Sequence, residues 1–181
     1  MTPHRDARKH PRRLTQAELR KRARMIKLVL TDSDGVLTDT GVYYGASGEV
    51  MKRFSIRDGM GVELLRKAGI ETAIITGELS ESVRQRAAKL KMPFLYLGVS
   101  DKRAHLGTIL AETGHTAPEV AFIGDDVNDL GLLEELSGSS LTGAPSDAVR
   151  AVQRLVQYRT RARAGFGAFR EFAEWILRLR E

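Results

Sequence analysis

From residue 58 onward the chain alternates helix-length segments with short apolar runs. GMGVELLRKAG precedes IETAIIT, LSESVRQRAAKLK precedes PFLYLG, SDKRAHLGTILAETG precedes EVAFIG, and DVNDLGLLEELS precedes a short strand near Ser140–Leu141. Strands separated by helices cannot pair as hairpins; they pair in parallel through right-handed crossovers, with helices covering both faces of one sheet. Before this series stands Met25–Thr31 (MIKLVLT), an apolar run that ends in acids, the pattern of a strand buried on both faces. We therefore expect an α/β fold: a Rossmann-like, doubly wound, mainly parallel sheet.

Three segments lie outside that rhythm. GVYYGASGEVMKRF (41–54) has two β-prone arms around Gly45–Gly48, which signals an inserted β-hairpin. A helix is expected at Ser146–Val156. The C-terminal tail, 165–181, carries Phe169, Phe172, Ala173, Ile176 and Leu179 at helical spacing behind a glycine-rich approach. At the other end, residues 1–13 are polar, charged and without period, and are expected to be disordered. Thr15 followed by Glu18 is a capping box that predicts a short helix over 16–24. The organisation expected is a basic arm, 1–24, followed by one domain, 25–181. A domain of this size buries roughly 70% of its unfolded surface, enough for a full core.

Composition excludes several functions. The absence of cysteine rules out disulfides, thiolate zinc sites and cysteine nucleophiles. No apolar run approaches the ~20 residues of a membrane span, and the basic start leads into no signal segment, so a cytoplasmic protein without a membrane partner is expected. The net charge of +6 suggests nucleic acid until its distribution is considered. Of 29 Lys and Arg residues, nine lie in residues 1–24 against two of 23 acids, so the remaining 20 and 21 nearly cancel. A solvated tail accounts for the excess, and no regular aromatic interleaving supports a nucleic-acid platform.

In open α/β sheets ligands bind beyond the carboxyl ends of the strands. Those ends carry Asp32 and Asp34 after the first strand, Thr76 and Gly77 after the next, then Ser100, Asp101 and Lys102, then Gly124, Asp125, Asp126 and Asp129. Acids after one strand also serve as caps and turns, but four strand ends together supplying carboxylates, a hydroxyl and an ammonium are not explained by capping. Crowded carboxylates repel unless a cation or proton lies among them. Oxygen ligands of this kind suit Mg²⁺, whereas His4, His10, His105 and His115 have no metal-ligand spacing. A lysine and a hydroxyl suit a phosphoryl group. A carboxylate beside the metal can act as nucleophile, and a second acid two residues away can move the proton.

DSDGVLTD, IITG, Lys102 and GDDVND, in that order, resemble the four motifs of the haloacid dehalogenase-type phosphatases, and the resemblance spans residues 25–181. It implies that Asp32 is the nucleophile and Asp34 the general acid and base. Thr76 and Lys102 would hold the phosphoryl group, with Gly77 beside them. Asp125 would complete a Mg²⁺ site with Asp32 and the backbone carbonyl of Asp34, and Asp126 and Asp129 would support the metal and Lys102.

The short spacing after the first motif leaves no room for a cap domain. GVYYGASGEVMKRF, RDGMG and GFGAFREF resemble the capless branch that dephosphorylates 3-deoxy-ulosonic acid phosphates. That branch implies a homotetramer whose hairpin barrel closes neighbouring active sites, and a tail that reaches over a site. Arg57, Glu78, Lys89, Gly165 and Gly167 become the substrate-binding candidates. The eight-carbon (KDO 8-phosphate) enzymes typically read TGR where this chain reads TGE. Glu78 with Lys89 is similar to the nine-carbon (KDN or N-acetylneuraminate 9-phosphate) enzymes, and RDGMG is closer to the eight-carbon pattern. We expect the nine-carbon substrate, with the eight-carbon one as the alternative. A receiver-type phospho-acceptor domain uses similar residues, but there the lysine follows the threonine near the C-terminal end, whereas here Lys102 precedes the Asp125–Asp129 cluster. A binding protein working through the basic arm is a third class, disfavoured by the intact motifs.

Overall fold

The computed structural model describes residues 13–181, so the disorder expected for the start of the arm lies outside the described residues. Thr15 Oγ1 accepts a hydrogen bond from Glu18 N at 3.2 Å, and Glu18 Oε2 accepts one from Thr15 N at 2.8 Å. This reciprocal cap starts α1 (Gln16–Met25). The helix packs on the body of the domain. Ala23 lies in the core, and the Arg22 guanidinium donates to the carbonyls of Ser137, Gly138 and Ser140 at 2.6–2.8 Å. No helix among the described residues is long and apolar enough to cross a membrane.

The remaining elements are β1 (Leu28–Thr31), β2 (Thr38–Gly45), β3 (Gly48–Phe54), α2 (Ile56–Lys67), β4 (Glu71–Ile75), α3 (Glu81–Lys89), β5 (Phe94–Tyr96), α4 (Lys102–Thr113), β6 (Val120–Ile123), α5 (Leu130–Ser137), β7 (Thr142–Ala144), α6 (Arg150–Leu155), β8 (Tyr158–Arg159) and α7 (Ala168–Arg180). Six strands form one parallel sheet in the order β5-β4-β1-β6-β7-β8. β2 and β3 form a separate antiparallel pair. This is the α/β architecture with a hairpin insertion that the alternation predicts.

Period-two alternation divides the core between the two faces of the sheet. Val29, Ile74, Ala121 and Ile123 face α2, α3 and α7, while Leu28, Leu30, Ala73, Ile75 and Phe122 face α4 and α5. Every one of these is 0% exposed, which is why the strands read as unbroken apolar runs. Thr31 at the end of β1 stands in register with Ile74 of β4 and Ile123 of β6. The chain departs from β1 to one side through β4 and β5 and to the other through β6, β7 and β8. The switch in direction opens a crevice above the carboxyl end of β1.

Several boundaries differ from expectation. Met25 closes α1, so the first strand starts at Leu28. The hairpin extends back to Thr38. Ser55 Oγ accepts from Arg57 N at 3.1 Å and starts α2 earlier than its apolar period shows. The strand placed near Ser140–Leu141 lies at Thr142–Ala144, α6 is shorter than Ser146–Val156, and β8 had no counterpart because two residues carry no period. α7 buries Phe169, Phe172, Ala173 and Ile176 at 0% exposure. Its first turn is capped from a distant helix: the Asp58 carboxylate accepts from Gly167 N at 3.1 Å and Arg170 N at 3.0 Å.

Candidate active site

Asp32 is held at the end of β1 by its own N–H, which donates to Ile123 O at 3.0 Å and extends the ladder one residue past the strand. The chain then turns sharply. Ser33 O accepts from Leu37 N at 2.9 Å and Thr38 N at 3.1 Å. Gly35 sits in this turn at φ +91°, and a Cβ there would lie 1.9 Å from Asp125 Oδ2, so a side chain would strain the turn and displace the Asp125 carboxylate. The turn of the first motif is thus packed directly on the carboxylate of the fourth.

Lys102, the first residue of α4, is 1% exposed and places Nζ 2.7 Å from Asp32 Oδ1 and 2.6 Å from Asp129 Oδ1. Asp101 starts that helix, its Oδ1 accepting from Ala104 N at 3.0 Å. The second oxygen of Asp129 accepts from Asp125 N at 2.8 Å and Asp126 N at 3.2 Å, which folds the segment after β6 back on itself. Asp126 Oδ1 accepts from Val127 N at 2.6 Å and caps the 3₁₀ turn Val127–Asp129. Thr76, buried beyond β4, donates from its backbone to Tyr96 O at 2.9 Å, and its Oγ1 accepts from Glu78 N at 3.3 Å; Gly77 beside it is exposed. Asp34 is bound through both oxygens, Oδ1 to Thr38 Oγ1 at 3.1 Å and Oδ2 to Lys52 Nζ at 2.5 Å.

Burial pushes the Asp32 carboxyl up to about 7, the Asp129 charge adds to this, and Lys102 opposes it. Burial likewise pushes Asp125 up to about 8, with Asp32, Asp129 and Asp126 adding repulsion. Burial pulls the Lys102 ammonium down, and Asp32 and Asp129 more than reverse it. The centre therefore gathers more carboxyl groups than one lysine can neutralise, and without a cation it favours protons on Asp32 and Asp125. Carboxylate oxygens of Asp32, Asp125 and Asp129 all lie within 4.8 Å of one another, and Asp125 Oδ1 is buried with no hydrogen-bond partner. Asp129 is already engaged at both oxygens, so the oxygens available to a cation are those of Asp32 and Asp125. An all-oxygen donor set with an orphaned carboxylate oxygen fits a small hard cation. The described histidines stand elsewhere: His105 packs edge-on against Tyr96, and His115 Nε2 lies 3.2 Å from Glu71.

The substrate candidates divide. Gly165 N donates to Val36 O at 3.0 Å, and a Cβ there would meet Asp39 N at 2.5 Å, so the tail lies on the loop that follows the Asp32–Gly35 turn. Arg57 is exposed on the first turn of α2 and reaches the space beside Gly167, where a Cβ would lie 4.0 Å from its Cδ. Glu78 and Lys89 do not come together. Glu78 lies two residues ahead of the Ser80 cap of α3 and Lys89 is the last residue of that helix; both are exposed, and no ion pair joins them among the described residues. Asp39 belongs to the hairpin, paired to Arg53 at 3.1 Å.

Lys52, Glu49 and Ser80 escaped the sequence reading. Lys52 and Phe54 share one face of β3 by period two, so a lysine on the same face as a phenylalanine was the available signal. A cavity of about 330 Å³ lined by Val62, Arg66, Ile70, Thr72 and Met92 opens at the amino-terminal ends of β4 and β5 and contains none of these groups.

No protein-family model matches the chain. The 3-deoxy-D-manno-octulosonate 8-phosphate phosphatase of Haemophilus influenzae is 38% identical over 152 residues, 84% of this chain and 83% of that protein. Among solved structures, the cobalt-bound deoxy-D-mannose-octulosonate 8-phosphate phosphatase of H. influenzae superposes with a TM-score of 0.82 at 36% identity, covering 88% of this chain and 91% of that one. The 3-deoxy-D-manno-octulosonate 8-phosphate phosphatase of Moraxella catarrhalis, in complex with magnesium, phosphate and KDO, superposes with a TM-score of 0.83 at 32% identity, covering 91% and 93%.

Proposed function

Because the chain belongs to the 3-deoxy-D-manno-octulosonate 8-phosphate phosphatase family, phosphoric monoester hydrolases of the haloacid dehalogenase superfamily, we propose that its substrate is the eight-carbon ulosonic acid phosphate, hydrolysed with Mg²⁺ through a phospho-Asp32 intermediate. One observation carries the reading: the Asp32 carboxylate, 3% exposed, stands between the Lys102 ammonium and the orphaned oxygen of Asp125 at the carboxyl end of the central strand.

In this reading Asp32 attacks phosphorus, the ester P–O bond breaks, and Asp34 gives its proton to the departing alcohol oxygen. Asp34 then takes a proton from water, which attacks phosphorus and releases inorganic phosphate and free Asp32. Thr76 and Lys102 donate to the phosphoryl oxygens, with exposed Gly77 leaving room beside them. Asp126 shapes the turn that brings Asp129 to Lys102, and Asp129 fixes the Lys102 ammonium. Asp32, Asp125 and the Asp34 carbonyl would hold Mg²⁺, which when bound offsets the charge of the phosphoryl group. Arg57, at the tail loop of Gly165 and Gly167, suits the substrate carboxylate, for which a planar guanidinium is fitted.

The nine-carbon expectation drew on the likeness of Glu78 and Lys89 to the nine-carbon enzymes; the two form no ion pair among the described residues, and the relatives carry the eight-carbon name. The homotetramer remains part of the reading. Tyr43, Tyr44, Val50 and Met51 on the hairpin are all more than half exposed, an apolar surface that a second copy of the chain would cover. A cytoplasmic location goes with it. Phosphate release across eight-carbon and nine-carbon ulosonate phosphates and simple hexose phosphates tests the substrate. A clear preference for the eight-carbon compound is expected, and equal rates on all would leave only a general phosphatase.

A further inference from the structure

We propose that Lys52 is a positioning residue for Asp34, and that Lys52, Glu49 and Ser80 make the hairpin a working part of the site. The proposal rests on the reading of Asp34 as acid and base and goes beyond it by assigning what holds that carboxylate.

Lys52 projects from β3 with its side chain 1% exposed. Its ammonium donates to Asp34 Oδ2 at 2.5 Å and lies 3.4 Å from Glu49 Oε2. Glu49 Oε1 in turn accepts from Ser80 Oγ at 2.5 Å, and Ser80 caps α3, directly after the Thr76–Gly77 segment. The chain of contacts runs from the first motif, through the hairpin, to the element that follows the second. A buried ammonium carries a large desolvation cost that paired carboxylates offset, so a lysine at this position needs its acids.

The consequence for catalysis is geometric. An acid that must reach a leaving oxygen acts best when held in one orientation before the substrate arrives. Lys52 keeps Oδ2 as an acceptor throughout the cycle, which leaves Oδ1, on the edge shared with Thr38 Oγ1 at 3.1 Å, as the oxygen that carries the transferable proton. Lys52 itself neither gains nor loses a proton.

The test uses leaving groups. An alkyl phosphate needs its departing oxygen protonated, whereas p-nitrophenyl phosphate does not, so single-turnover rates on the two separate loss of the acid from loss of the fold. Lys52→Met, nearly isosteric, is expected to slow the alkyl ester ~10²-fold, the low end of what a general acid contributes, with KM and the p-nitrophenolate burst within about threefold of the parent. Lys52→Arg is expected to recover part of the loss. In an Asp34→Asn background Lys52→Met should cause no further loss. Equal loss on both substrates, or none on either, overturns the proposal. Glu49→Gln keeps the lysine and loosens its hold, so should Lys52→Met fail to fold, a smaller loss with the same leaving-group dependence supports the proposal and its absence defeats it. If Asp34→Asn itself shows no leaving-group dependence, the acid–base reading fails, an outcome distinct from failure at Lys52 alone.

Discussion

Lys102 and Asp32 form an ion pair of 2.7 Å in which neither residue is more than 3% exposed. Lys102 also holds Asp129 at 2.6 Å, so one ammonium keeps two buried carboxylates in place. Lys102→Met leaves both acids facing each other without a counter-charge. We expect a loss of about 3–5 kcal/mol, the range for stranding one partner of a buried pair, measured by urea unfolding. The double variant with Asp129→Asn should recover part of it, and a Lys102→Met protein as stable as the parent would contradict this account of the centre.

Asp32→Asn is expected to separate chemistry from folding. The amide removes a carboxyl that burial already holds up at about 7, so the thermal midpoint without metal should stay level or rise. Turnover should fall by at least ~10³-fold, as loss of a nucleophile does. Retained turnover in a pure, folded variant would remove Asp32 from the mechanism.

The pH dependence has a definite sign. In the folded chain Asp32 titrates at about 7 and Asp125 at about 8, well above an unfolded carboxyl. Between roughly pH 4 and 8 the folded state therefore binds more protons than the unfolded one, and this cluster lowers stability as pH rises. Metal binding needs the deprotonated forms and releases protons. The rise in thermal midpoint produced by Mg²⁺ should thus be larger at pH 8.5 than at pH 5.5, and Asp125→Asn should abolish most of it. A shift independent of pH would argue that these carboxyls are already ionised in the metal-free protein.

Asp58→Ala removes the acceptor for Gly167 N and Arg170 N and leaves two N–H groups at the start of α7 without it. A lost cap costs about 1–2 kcal/mol. Limited proteolysis should then cut faster after exposed Arg161 and Arg163, just ahead of the tail loop, with the sheet unchanged by circular dichroism.

The sequence carries local information and the structure adds the distant relations. β1 was legible because a strand buried on both faces is an unbroken apolar run, and Asp32, Thr76 and Asp125 were legible because each follows such a run. β8 was not, since two residues at a sheet edge have no pattern. Lys52 meets Asp34 across 18 positions and Asp58 caps a helix 109 positions away, and no periodicity encodes either. Glu78 and Lys89 are set apart for a related reason: Glu78 lies in the loop before the Ser80 cap of α3 and Lys89 ends that helix, which rises roughly 12 Å between Glu81 and Lys89.

The β2–β3 ribbon pairs with no other strand among the described residues, and two strands alone are marginal in water. It is in effect a beam pinned along β3: Arg53 on Gly165 and Lys52 on Asp34 hold its inner part, and Glu49 on Ser80 holds it one residue from the Gly45–Gly48 turn. The outer pin, Glu49 on Ser80, also lies 3.4 Å from Lys52, so anything seated on exposed Tyr43 and Tyr44 bears on a ribbon whose pins end at the Asp34 carboxylate.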